Sequence, residues 1–122
     1  MAKAQRPQVL RAVTASLLTA GCLLLAGTPA LAGGEVTVII QDYRYDPPEL
    51  TIPAGTTVRW VNEERRASHD VYFPDKDLGS PRLFPEESWS HRFDNPGEYS
   101  YYCTPHKNRD SMHAIVRVEP AS

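Results

Sequence analysis

Cys103 and His106 stand three positions apart in Tyr99-Ser-Tyr-Tyr-Cys-Thr-Pro-His106, and Met112 follows on the same loop. A thiolate, an imidazole and a thioether in so short a span suit copper, an ion that takes soft sulfur and nitrogen donors together. With a second imidazole they make a His2Cys site with a weak axial Met, the ligand set of blue electron-transfer copper. That second imidazole must come from elsewhere in the chain. His69, in Ala67-Ser-His-Asp-Val-Tyr-Phe73, is the candidate. His91 alternates with Trp89 and Phe93 and reads as an ordinary strand histidine. His113 directly follows Met112, so strand alternation turns it outward.

The cysteine count sharpens this reading. Lys3, Arg6 and Arg11 form a positive segment ahead of an apolar run, Ala12 to Ala26, and Pro29-Ala-Leu-Ala32 offers small residues for cleavage. Residues 1–32 therefore read as a secretory signal removed after Ala32. The apolar run is short of the ~20 residues a membrane span needs, which disfavours an anchor. Cys22 does not sit in a convincing lipidation motif, because Thr19 stands where a leucine is wanted. The exported remainder is one domain of about 90 residues, from Gly33 to Ser122, and Cys103 is its one cysteine. A single cysteine in an oxidising compartment has no internal disulfide to form, whereas a metal-bound thiolate is protected from oxidation. Without Lys3, Arg6 and Arg11 the 13 Lys+Arg fall to 10 against 15 Asp+Glu, a formal charge of −5. This mildly acidic balance leaves no basic excess to favour nucleic acid.

The elements that must position these donors are short and β-rich. Strands are expected at Glu35–Gln41, Leu50–Ile52, Thr56–Asn62, around Val71–Phe73, at Glu87–Phe93, at Glu98–Cys103 and at Ala114–Glu119. Turns fall at Pro53-Ala-Gly55 and Asp94-Asn-Pro-Gly97, where proline fixes φ and glycine allows positive φ. Asp42–Pro48 reads as an irregular turn, because Pro47-Pro48 has no place in a central ladder. Pro74–Pro85 reads as a long polar connection with a short helical turn. Val58 and Trp60 share one face of their strand, and Val71 and Phe73 share one face of theirs. The expectation is an all-β Greek-key sandwich of about seven to eight strands, with no parallel-sheet pattern. Trp60 and Trp89 read as core, and Tyr99, Tyr101 and Tyr102 as core and corner residues.

Several motifs taken together resemble the cupredoxins, specifically the small plastocyanin, amicyanin and pseudoazurin group. They are Tyr45-Asp-Pro-Pro-Glu-Leu-Thr-Ile-Pro-Ala-Gly55, Val58-Arg-Trp-Val-Asn62, Ser68-His-Asp-Val-Tyr-Phe73 and Pro96-Gly-Glu-Tyr-Ser-Tyr-Tyr-Cys-Thr-Pro-His106. The resemblance covers nearly all of Val36 to Val118. A lone Cys-x-x-His would carry little, but the upstream Asn62 and His69, the downstream Met112 and the tryptophan strand make the combination specific. It implies a sandwich with copper at one end between two loops, His69, Cys103 and His106 as equatorial ligands, and Met112 as the axial one.

Three departures from the family pattern stand out. Five residues separate His106 from Met112, one more than in plastocyanin-like relatives, which would lengthen or redirect the axial bond. Met112-His-Ala stands where the family has Met-x-Gly, which puts His113 beside the axial position. Asp70 stands where many relatives have asparagine; it can still accept hydrogen bonds from Thr104, but its charge would favour Cu(II).

The implied function is a type 1 copper protein shuttling single electrons between exported redox partners, periplasmic or extracellular and monomeric. It is not expected to be an enzyme: no nucleophile–base pair, paired acids or Gly-rich phosphate loop is present. Arg65, Arg66, Lys107 and Arg109 lie in the two loops expected at the copper end, where they would favour an acidic partner docking near His106. The chief alternative is a copper carrier or storage protein using the same ligands. A zinc site fits less well because methionine is not a usual zinc ligand. A metal-free immunoglobulin-like module would have no use for Cys103, His106 and Met112 together.

Overall fold

A computed structural model describes residues 34–122. The expected signal segment, residues 1–32, lies outside the described residues. Among the described residues there are nine strands in two sheets. The first sheet has the order β2-β1-β4-β7, built from Glu35–Gln41 (β1), Arg44–Asp46 (β2), Thr56–Asn62 (β4) and Ser88–Phe93 (β7). The second has the order β3-β9-β8-β5-β6, built from Glu49–Pro53 (β3), Tyr72–Phe73 (β5), Leu78–Gly79 (β6), Gly97–Tyr102 (β8) and His113–Glu119 (β9). No helix among the described residues is long and apolar enough to cross a membrane.

The expected β-sandwich is present, and alternation places its core. Val38 and Ile40 of β1 and Val58 and Trp60 of β4 are buried from one sheet. Ile52, Phe73, Tyr101, Val116 and Val118 are buried from the other. Trp60 is the hub, with ring centroids 5.6 Å from Tyr101, 5.9 Å from Phe73 and 5.5 Å from Trp89. Its indole N–H donates to the Tyr101 hydroxyl at 3.2 Å, so this polar atom is satisfied inside the core. His91 packs in the same aromatic row, stacked on Trp89 and edge-on to Phe93. Burial lowers its pKa. It is a structural strand residue.

Two features differ from the sequence expectation. The strands exceed the expected number because β2 and β6 are only three and two residues long, too short for alternation to show. β2 forms a hairpin with β1 through a two-residue turn, Asp42-Tyr43, where the turn was expected to be irregular. Both turn residues have positive φ, 53° and 54°, as in the I′ turns that match strand twist. Neither is glycine or asparagine, so the usual hairpin signal was missing. Two neighbouring pairs are also parallel, β1 with β4 and β3 with β9. Between β1 and β4 the chain visits the opposite sheet as β3 and returns beside β1, so the pair runs parallel without the continuous apolar runs of a buried parallel sheet.

Candidate metal centre

Of the four donor residues expected from the sequence, His69, Cys103 and His106 bring donor atoms together, and Met112 lies at the far end of the Cys103 loop. His69 lies in the loop between β4 and β5, and its backbone makes a two-bond bridge to Leu83 (N–H to O 3.0 Å, O from N–H 2.7 Å). Cys103 follows β8. Beyond it the chain takes a 3-10 turn at Thr104–His106, then another at Asp110–Met112, and enters β9. Successive backbone bonds staple this loop: His106 N–H to Cys103 O, Arg109 N–H to His106 O, and Met112 N–H to Arg109 O. The Cys103 N–H donates to Met112 O at 3.1 Å and closes its base. Pro105 sits in the first turn, where its fixed φ suits a helical start.

Three donor atoms converge. His69 Nδ1 and His106 Nδ1 lie 3.2 Å apart, and Cys103 Sγ is 3.3 Å from the second and 3.7 Å from the first. Bonds of about 2.0–2.3 Å to one ion at tetrahedral-to-trigonal angles separate their donors by roughly 3.3–3.7 Å, so the spacing fits a shared metal. His69 and Cys103 are fully buried, and His106 is partly exposed. Met112 is fully buried, its carbonyl on the Cys103 N–H. His113 is exposed, stacked on Tyr102, and bonded through Nε2 to Lys107 O at 2.7 Å. It faces outward, as strand alternation requires.

Burial and neighbouring charge act on the donors in opposite senses. Burial raises the Cys103 thiol pKa against the N–H of Asp70, which points at Sγ from 3.4 Å. A metal would take the thiolate, so binding releases a proton. Burial, the neighbouring His69 and Arg109 lower the pKa of His106. A neutral imidazole offers the lone pair that a metal needs.

Outer partners hold each ring and loop. Glu64 Oε1 accepts from His69 Nε2 at 3.1 Å, which leaves Nδ1 free to face the site. Burial alone would raise the Glu64 carboxyl, but the Tyr43 N–H and His69 hold it below its ordinary range. Asp70 accepts from the Thr104 N–H at 2.7 Å and from the Thr104 hydroxyl, joining the two ligand loops. The buried Tyr45 hydroxyl donates to Asp70 O at 2.6 Å. Asn62 donates to Ala67 O and Leu83 O, both at 2.9 Å, and accepts the Glu64 N–H, fixing the approach to His69.

Sequence reasoning reached Asp70 and Thr104 through the family resemblance. It did not reach Glu64 or Tyr43. The only cue to Glu64 was an acid five positions before the candidate ligand. Tyr43 had none, since it stands at the turn position where glycine would be the usual signal.

Comparison with known proteins agrees with this geometry. Residues 32–119 match the family model described as copper binding proteins of the plastocyanin/azurin family. Amicyanin from Paracoccus denitrificans is 37% identical over 81 residues, covering 62% of this chain and 61% of that protein. Amicyanin-alpha from Methylorubrum extorquens is 35% identical over 98 residues, covering 76% and 79%. Among solved structures, a purple cupredoxin from Nitrosopumilus maritimus superimposes with a TM-score of 0.61 at 28% identity, covering 69% of this chain and 99% of that one.

Proposed function

The chain belongs to the plastocyanin/azurin family of copper-binding proteins, and from that premise we propose that it is an exported one-electron carrier. His69, Cys103 and His106 would hold a single copper ion, with Met112 as a weaker fourth donor. Copper so held supplies a one-electron couple between Cu(II) and Cu(I). The observation that carries the reading is the convergence of two Nδ1 atoms and one Sγ within a frame braced from several sides.

The frame is what makes the donors suited to electron transfer. Cu(II) prefers a tetragonal site, whereas Cu(I) suits a softer one, so a carrier is fast when its ligands stay put through both. Asp70 locks the Cys103 loop to the His69 loop, and Glu64 locks the His69 ring. Burial of His69, Cys103 and Met112 would keep water away from an ion held there. His106 alone among the four reaches the surface, which makes it the electron port.

The rival reading is a copper carrier or storage protein built on the same donors. A Cu(I) chelator separates the two. An electron carrier keeps its copper through repeated oxidation and reduction beside the chelator; a carrier surrenders it on the first reduction.

Basic side chains border the port. Arg65, Arg66, Lys107 and Arg109 are exposed, and Arg82 joins them, reaching the Ser68 hydroxyl at 3.3 Å. Lys107 lies over the Tyr102 ring and Arg109 over the Tyr43 ring, which fixes their direction. This rim would attract an acidic redox protein as electron donor or acceptor. Reversing Arg65 and Arg66 to glutamate is expected to slow association with such a partner by about tenfold or more at low salt. Stopped-flow rates that keep both their size and their salt dependence would remove the docking surface from the account.

A further inference from the structure

Tyr43 occupies an expensive conformation. Its φ of 54° follows the 53° of Asp42, and a bulky residue with positive φ persists only where its surroundings hold it. Glycine would adopt this turn without strain. What holds the tyrosine there is a set of contacts to both ligand loops. Its N–H donates to Glu64 Oε1 at 2.8 Å, the same oxygen that accepts from His69 Nε2. Its carbonyl accepts from the Ser111 hydroxyl at 2.7 Å. Its ring meets His69 and His106 near perpendicular, at centroid distances of 5.3 and 5.0 Å. The Arg109 guanidinium caps the ring from 4.3 Å.

We propose that Tyr43 is a positioning residue for both imidazole donors, a keystone that the β1–β2 hairpin inserts between the two ligand loops. Its backbone fixes Glu64, and Glu64 fixes His69. Its ring edges limit rotation of both imidazoles, and Arg109 closes the assembly from outside. Among the described residues the Tyr43 hydroxyl makes no hydrogen bond, so the ring and the backbone carry the role. The proposal rests on the copper reading for its purpose, but the ordering of the rings is a property of the metal-free protein.

The test compares Tyr43→Phe, Tyr43→Gly and Tyr43→Leu in the whole protein. Two quantities are read: histidine ring signals of the metal-free protein by 15N NMR, and release of Cu(I) to a chelator. Tyr43→Phe is expected to match the parent in both. Tyr43→Gly removes the ring and relieves the backbone; it is expected to broaden the His69 and His106 signals and to release Cu(I) about 10- to 100-fold faster, the usual cost of losing an outer partner. Tyr43→Leu keeps apolar bulk without ring edges and guards against a folding defect, and the same broadening is expected of it. Sharp ring signals and parental release in the Gly and Leu variants would overturn the proposal. So would a Phe variant as impaired as Gly. If the parent takes up no copper the function reading fails, and the ring signals still decide the role of Tyr43.

Discussion

Replacing Cys103 with serine is expected to abolish the intense visible absorption of the copper-loaded protein while leaving the sandwich folded. The band requires electron transfer from a thiolate to Cu(II), and a serine hydroxyl is a hard oxygen that stays protonated at neutral pH. The fold should tolerate the change because serine is close in volume and keeps polar neighbours. The Asp70 N–H and His106 Nδ1 face the position from 3.4 and 3.3 Å. The loss in Cu(I) affinity should exceed the roughly 10- to 100-fold that removal of an outer partner costs, because the softest donor has gone. Absorption spectra with a chelator competition check both statements. A serine variant that retained the band would show that the absorption arises elsewhere.

Asp70 should give the second largest effect, and its two obvious replacements should separate geometry from charge. In Asp70→Ala both bonds from Thr104 disappear. Hydrogen bonds to charged groups are worth about 1.5–3 kcal/mol each. The pair should therefore cost about 3–5 kcal/mol, allowing for water reaching Thr104. A domain of this size should then lose roughly 10 °C or more in Tm. In Asp70→Asn the amide oxygen can still accept from the Thr104 N–H while the NH2 group faces the hydroxyl, so stability should largely survive. The carboxylate is lost, however, and its charge would have favoured the more highly charged Cu(II). At an effective dielectric of about 20 such a charge is worth on the order of 1–2 kcal/mol, or roughly 40–90 mV upward in potential for one electron. Voltammetry and thermal melts on both variants make the comparison. An unchanged potential in Asp70→Asn would remove the carboxylate from the tuning of the site.

Much of this centre was legible because its signals are local and chemically distinctive. Cys103, His106 and Met112 lie within one loop, and the isolated cysteine demanded a reason to exist. Strand faces followed from alternation, as Val58 and Trp60 or Val71 and Phe73 show. The parallel pairs were not legible, because direction depends on where the chain crosses between sheets and leaves no mark within a strand. The Asp42-Tyr43 hairpin was hidden for a different reason. Tyr43 is held at positive φ by distant partners, Glu64, Ser111 and Arg109, rather than by any preference of its own. The role of Glu64 was hidden likewise. Its carboxylate meets His69 only because Asn62 bends the loop between them.

The central claim is that these donors hold one copper ion as a blue site that changes oxidation state in place. Titrating the metal-free protein with Cu(II), then reducing it, tests this most directly. The expected result is an intense blue band that saturates at one copper per chain, bleaches on reduction and returns on reoxidation with the metal retained. Copper binding without a visible thiolate band, or loss of the ion at the first reduction, would contradict it.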